Sequence, residues 1–372
     1  MKSRFRSNKM QCLRRATRSV WLYLDLRLRR THLYRSVFRA MRGDDAALGD
    51  DRGACPIQEA IESGTASQYN RDDCTWRRGN DNDQCPDPDV HLYLYTPNNP
   101  RLKLEANRTS DWLRKDYDSN KENILLVHGY AGGLDALPMS VLRDAYLRNG
   151  SYNVFVVDWG TLSAAPCYPA AVSNMRPVAR CLAASLTSLR NHGLPIGRTS
   201  CVGHSLGAHV CGMMANYLLF RMSRIVGLDP ARPLIRPGLV NRIDSGDADF
   251  VEVIHTNAGY YGELGKGGHV DFCVNGGKSQ PFCEDRENHE LCSHVWAVCF
   301  MAQSVDGTRD MQAEPCTRRC PSGPRIAPRS GEVLQMGQHT PSGSRGSFCY
   351  TMYDPPYCPK YNDGHGDERC CL

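Results

Sequence analysis

The 372-residue chain has no apolar run long enough to cross a bilayer as a helix, which takes about 20 predominantly apolar residues. Near its start, Ser19-Val20-Trp21-Leu22-Tyr23-Leu24 is cut short by Asp25 and Arg27, so no clear secretory signal core is present. No pair of C-x-x-C motifs has zinc-like spacing, which excludes the usual reading of a cysteine-rich chain as a zinc domain. The 18 cysteines, a high and even count, are then read as disulfides made in an oxidising compartment. Residues 1–42 nearly lack acids: Asp25 stands against thirteen Lys or Arg, leaving 32 basic and 39 acidic residues elsewhere. The body is therefore net negative, and a nucleic-acid-binding domain is not expected. No internal repeat is found. Residues 1–54 are set apart as a basic tail, either disordered or a processed or mis-assigned start, and 55–372 as the folded domain.

What is present alternates strand and helix signals. Asp89–Thr96 has the period-two pattern of a half-buried strand, which Pro97–Pro100 ends. Ile124–Val127, Asn153–Asp158, Arg198–Val202, Arg224–Leu228 and Phe250–His255 read as buried strands, with helices predicted over Pro138–Leu147, Val172–Leu189 and Ala208–Phe220. This order predicts an α/β fold with a mainly parallel central sheet and helices on both faces. Cys316–Leu372, rich in Gly, Pro, Ser and Cys, is expected to wrap the domain with disulfides. Two sequons, Asn107-Arg108-Thr109 and Asn149-Gly150-Ser151, are compatible with secretion.

Between a strand and a helix stands Gly203-His204-Ser205-Leu206-Gly207. A serine lifted out of such a turn is exposed above the sheet, and the two glycines leave room for the crowded backbone. Its hydroxyl is a weak nucleophile at neutral pH and needs a histidine base oriented by an acid. In hydrolases of this type the acid follows the serine and the histidine comes last, an order that Ser205, Asp229 and His294 satisfy. Asp229 ends a strand and His294 is expected at a loop-to-helix transition. Alternatives remain: Asp229 before Pro230 as a turn-former, and His128, His204, His209, His255 or His269 as the base. The backbone N–H groups of Leu206 and of Tyr130, in the loop His128–Gly133, are the expected oxyanion donors.

The segments Val127-His128-Gly129-Tyr130, Val157-Asp158-Trp159, Gly203–His209, Gly227-Leu228-Asp229-Pro230-Ala231, Val253-Ile254-His255-Thr256 and Cys292-Ser293-His294 resemble the pancreatic-lipase family, nearest its arthropod single-domain lipases and phospholipases A1. The resemblance covers roughly residues 55–360. It implies an α/β-hydrolase fold and a secreted serine hydrolase of lipid carboxylic esters, working at a membrane, micelle or droplet surface with no cofactor for its chemistry. In the family a disulfide-bounded lid covers the site, and Cys283 and Cys292 look like its ends. The eight residues between them include five charged ones, an unsuitable face for a triglyceride droplet, so sn-1 phospholipid is expected over triacylglycerol. The alternatives are a neutral-lipid lipase and a non-catalytic, yolk-protein-like lipid-binding protein. The family's calcium site resembles the segment with Leu239 and Arg242 as carbonyl donors and Asp244 and Asp247 as carboxylates, which implies a structural calcium. The C-terminal β-sandwich of digestive lipases is not expected in a chain of this length, and colipase is therefore not expected as a partner.

Overall fold

The computed structural model describes residues 74–77, 85–96, 99–104, 117–316, 320, 333–352, 357 and 371. They all fall in one compact unit, Asp72–Leu372. The expectations for residues 1–54 and for the sequon at Asn107 lie outside the described residues.

Eleven strands are described: β1 (His91–Thr96), β2 (Asn99–Leu104), β3 (Glu122–Val127), β4 (Tyr152–Asp158), β5 (Thr199–His204), β6 (Met222–Leu228), β7 (Ala248–His255), β8 (Val270–Val274), β9 (Gln312–Pro315), β10 (Leu334–Gln335) and β11 (Gly346–Tyr350). They form one sheet in the order β10-β9-β11-β8-β7-β6-β5-β3-β4-β1-β2. The stretch from β11 to β4 is parallel, and antiparallel pairs flank it on both sides.

Among the described residues, four α-helices cover the sheet: α1 (Met139–Asn149), α2 (Tyr168–Asn191), α3 (Leu206–Ala215) and α4 (His289–Asp306). Successive strand residues point to opposite faces, so the fully apolar strands feed two cores. Ile124, Leu126, Val154 and Val156 pack with Leu142 of α1 and Trp296 and Phe300 of α4. Leu125, Val127, Phe155 and Val157 pack with Leu182 of α2 and Val210 and Met214 of α3. The helix ends follow local chemistry: Gly150 closes α1 in the left-handed conformation, and Asn288 caps α4 by accepting from the Leu291 N–H at 2.9 Å.

Two expectations change. The C-terminal region does more than wrap the domain, because β11 adds to the parallel sheet beside β8. The chain also resumes as β2 directly after the Pro97 break and pairs back on β1. Seven disulfides are formed among the described residues, including Cys283–Cys292, and Cys201–Cys211 bridges β5 to α3 across the turn that holds Ser205.

Candidate active site

The parallel register aligns Val127 with Gly203, Gly203 with Gly227, and Leu228 with Ile254. The residues that follow each strand therefore emerge at one edge of the sheet: His128, Ser205, Asp229 and Thr256. Ligands of open α/β sheets bind at this edge.

Ser205 has φ 56° and ψ −120°, a conformation costly for a side-chain-bearing residue and held here by its surroundings. The Ser205 N–H donates to the Leu228 carbonyl at 3.0 Å, and the Ser205 carbonyl accepts from Ala231 N–H at 3.2 Å. A Cβ on Gly207 would lie 2.1 Å from the Val127 carbonyl oxygen, and one on Gly203 would lie 2.3 Å from the Gly207 oxygen. Only glycine fits either place.

Asp229 is fully buried at φ 40°. Its Oδ2 is 2.6 Å from His294 Nδ1, and its Oδ1 accepts the backbone N–H groups of Thr256 at 2.9 Å and Asn257 at 3.0 Å. Three donors thus fix one carboxylate and commit the His294 Nδ1 proton to it. His294 lies in the second turn of α4 rather than at a loop-to-helix transition. The Ser205 hydroxyl and His294 are not hydrogen-bonded in this arrangement, but the neighbouring His204 ring is 4.7 Å from the His294 ring and its Nε2 bonds the His294 carbonyl at 3.2 Å. Looseness between nucleophile and base is common before substrate binds.

The other histidines are engaged elsewhere. His128 Nδ1 donates to the Gly129 carbonyl at 2.9 Å, its Nε2 accepts from the Trp159 N–H at 3.3 Å, and its ring stacks on Trp159. Burial, then the positive potential of His294, pushes His204 well below its ordinary value, which keeps it neutral. His209 bridges Ala231 O and Ile243 N, His255 pairs with Asp271 at 3.0 Å, and His269 accepts from Val251 N–H.

The Gly129 backbone lies against the nucleophile: a Cβ there would sit 2.7 Å from Ser205 Cβ. The loop is pinned on both sides of Tyr130, by the His128 bond and by Ala131 N–H to Ser163 O at 2.8 Å. Among the described residues, neither the Tyr130 N–H nor the Leu206 N–H donates to an acceptor within the chain. Leu206 is the first residue of α3, so its N–H is one of the unpaired donors at the positive end of the helix.

The segment between Cys283 and Cys292 is exposed except at Glu290, and α4 takes up its last residues from His289. In the candidate calcium loop, the Asp244 N–H donates to Asp247 Oδ2 at 2.8 Å and the Gly246 N–H donates to Asp244 Oδ1 at 2.6 Å. Burial, and then the Asp244 charge, push the Asp247 carboxyl up to about 7. A mostly buried carboxylate beside a second acid, with no ion pair to either among the described residues, fits a hard cation taken by oxygen ligands. The sulfurs of Cys273, Cys316 and Cys349 also lie close together, but all three are used in disulfides.

Three supporting residues are not apparent in the sequence. Asn257 gives Asp229 a backbone donor, Gly262 leaves the space that Asp229 occupies, and Glu290 bonds the Asn257 side chain at 2.5 Å. The motif Val253–Thr256 could have pointed to the first; nothing local marks the other two.

The chain matches the family model described as Lipase over residues 58–319. Phospholipase A1 member A of Rattus norvegicus is 34% identical over 233 residues, 61% of this chain and 51% of that protein. Lipase member H-A of Xenopus laevis is 29% identical over 292 residues, 72% of this chain and 63% of that protein. A solved phospholipase/carboxylesterase from Dyadobacter fermentans is similar with a TM-score of 0.30 and 10% identity, covering 46% of this chain and 75% of that one. The chain spans about half the length of the first curated relatives it matches. With its parallel sheet, its serine turn and the family match over most of its length, the chain belongs to the lipase family, the pancreatic-lipase group of α/β-hydrolases.

Proposed function

We propose that this chain hydrolyses carboxylic esters of lipids through an acyl-enzyme on Ser205, with phospholipid, cleaved at sn-1, preferred over triacylglycerol. The observation that carries the reading is the 2.6 Å bond from His294 Nδ1 to buried Asp229, at the sheet edge where Ser205 turns. With Nδ1–H held by Asp229, His294 Nε2 is the free base. It takes the Ser205 proton as Oγ adds to the ester carbonyl carbon, and the oxyanion is received by the N–H groups of Leu206 and Tyr130. Collapse expels the alcohol, which takes the proton from His294. Water activated by the same nitrogen then releases the fatty acid and regenerates Ser205.

Two features support phospholipid at a membrane surface. The cover between Cys283 and Cys292 is short, charged and exposed, so it offers no apolar sheet to a triglyceride droplet. Leu137, Leu234, Leu239, Val240 and Leu264 are exposed on the segments that follow β3, β6 and β7, and Leu291 is exposed in the first turn of α4, so apolar side chains are available to a lipid surface. The phospholipase A1 and lipase H relatives agree with this class. The disulfides suit secretion. A structural calcium would be held by the Leu239 and Arg242 carbonyls with Asp244 and Asp247, where it would neutralise buried Asp247 and its half-buried neighbour Asp244 and supply no chemical step.

A fluorophosphonate probe tests the nucleophile. Wild type is expected to label and Ser205→Ala not to; labelling that survives the substitution overturns the reading. Phosphatidylcholine, galactolipid and triolein assayed side by side then test the substrate, with phosphatidylcholine expected fastest.

A further inference from the structure

We propose that Glu290 is a positioning residue that clamps α4 onto the loop holding Asp229, so that the short disulfide-bounded cover and the acid–base pair move as one unit; this rests on the serine-hydrolase reading above. Asn257 is fully buried. Its N–H donates to Asp229 Oδ1 at 3.0 Å, its Oδ1 accepts from Tyr261 N–H at 2.9 Å, and its carbonyl accepts from Gly262 N–H at 3.1 Å. One residue therefore organises the whole turn that surrounds the Asp229 carboxylate.

The Asn257 amide nitrogen has two protons and two acceptors, the Lys278 carbonyl at 3.1 Å and Glu290 Oε2 at 2.5 Å. Glu290 is thereby the single residue between Cys283 and Cys292 whose side chain bonds outside that segment, among the described residues. A carboxylate acceptor makes this bond stronger than an amide–amide contact.

Glu290 and His294 are four residues apart in α4, on the same face of the helix. The helix thus grips the acid loop at two points one turn apart: Glu290 on Asn257 and His294 on Asp229. With one point, the helix could rotate or slide and carry His294 off its partner. With two, its register is set. The disulfide between Cys283 and Cys292 joins the cover to the same helix turn, so displacement of the cover pulls first on Glu290.

The test uses the full chain with Glu290→Ala, Glu290→Gln and Asn257→Ala, and a soluble short-chain ester that needs no lipid surface. Glu290→Ala is expected to lose about tenfold in kcat with KM little changed, the pattern of a misplaced catalytic group. Glu290→Gln keeps an oxygen acceptor and is expected to recover most of that loss. Because Glu290 acts through Asn257, the double variant should be no slower than Asn257→Ala alone. The proton NMR signal of His294 Nδ1–H is read in the same proteins: expected in wild type and Glu290→Gln, and broadened in Glu290→Ala. Wild-type kcat and an unchanged signal in Glu290→Ala would overturn the proposal, as would losses that multiply in the double variant. A wild type with the Nδ1–H signal but no ester turnover and no Ser205 labelling would overturn the hydrolase reading instead, and the signal would still report on Glu290.

Discussion

Gly262 lies so close to Asp229 that a Cβ on it would sit 2.5 Å from both carboxylate oxygens. No side chain fits there without moving either the acid or the turn. Because Gly262 belongs to the loop whose Thr256 and Asn257 N–H groups hold Asp229, a shift of either the acid or the turn is expected to disturb the position of the carboxylate. Gly262→Ala is expected to cut kcat on a soluble ester by about a hundredfold, the cost of moving a catalytic group by an ångström. Far-UV circular dichroism should stay as in wild type. A variant with full activity would mean that the carboxylate keeps its place.

Much of this site was legible because its main residues sit in short motifs at strand ends. Ser205 is framed by two glycines and Asp229 directly follows buried Leu228, both local patterns, whereas choosing His294 among the histidines needed the chain order serine, acid, histidine and the family resemblance. Gly262, Asn257 and Glu290 were not legible, since they act through space left empty, a backbone N–H and a bond between segments 33 residues apart. Strand β8 was hidden for a related reason. Its apolar run Val270–Val274 is broken by Asp271, which is tolerated inside only because His255 and the Gly267 N–H satisfy it. Strand β11 lies in a Gly- and Cys-rich region whose composition suggests loops, and its place beside β8 is a tertiary choice.

His209 is expected to make stability fall in acid. It is fully buried, donates from Nε2 to Ala231 O at 2.6 Å and accepts at Nδ1 from Ile243 N–H at 3.2 Å, so the fold needs its neutral form. Burial depresses it from 6.5 to about 4. The unfolded chain therefore binds this proton from about pH 6.5 downward while the folded chain refuses it until about pH 4. The stability held above pH 6.5 is lost across that window, by about 3 kcal/mol from this one group. His209→Gln should be less stable than wild type at pH 7.5, and the gap in unfolding free energy should close as pH falls to 4. Parallel curves for the two proteins would exclude His209 as the source.

Removing calcium is expected to lower stability and leave the chemistry intact. The buried Asp247 beside Asp244 is a destabilising pair near neutral pH unless a cation joins it. Calcium at a hundred times its dissociation constant would add about 2.7 kcal/mol. A thermal melt with calcium against one with chelator should show that difference in wild type and lose it in Asp244→Ala. Ester turnover at a temperature well below both midpoints should be the same with and without chelator, because no ligand of that site contacts Ser205, Asp229 or His294 among the described residues.

On the proposed reading, the cover between Cys283 and Cys292 is expected to set the lipid through its length and charge. Its eight residues are nearly all exposed, and its C-terminal end is already helix, so almost no chain remains to fold back as an apolar surface. A droplet of triacylglycerol offers no charged headgroup and rewards buried apolar area at about 25 cal/mol per Å², whereas a phospholipid surface tolerates charge at its rim. Lengthening the segment between Arg286 and Asn288 with an amphipathic insert of about three helical turns, a length at which packing on a surface can hold a helix, should raise triolein turnover relative to phosphatidylcholine. Placing the insert there leaves the Asn288 cap and Glu290 in place, so turnover of a soluble ester serves as the internal standard. If that standard holds while the two lipid rates keep their wild-type ratio, the cover does not choose the lipid.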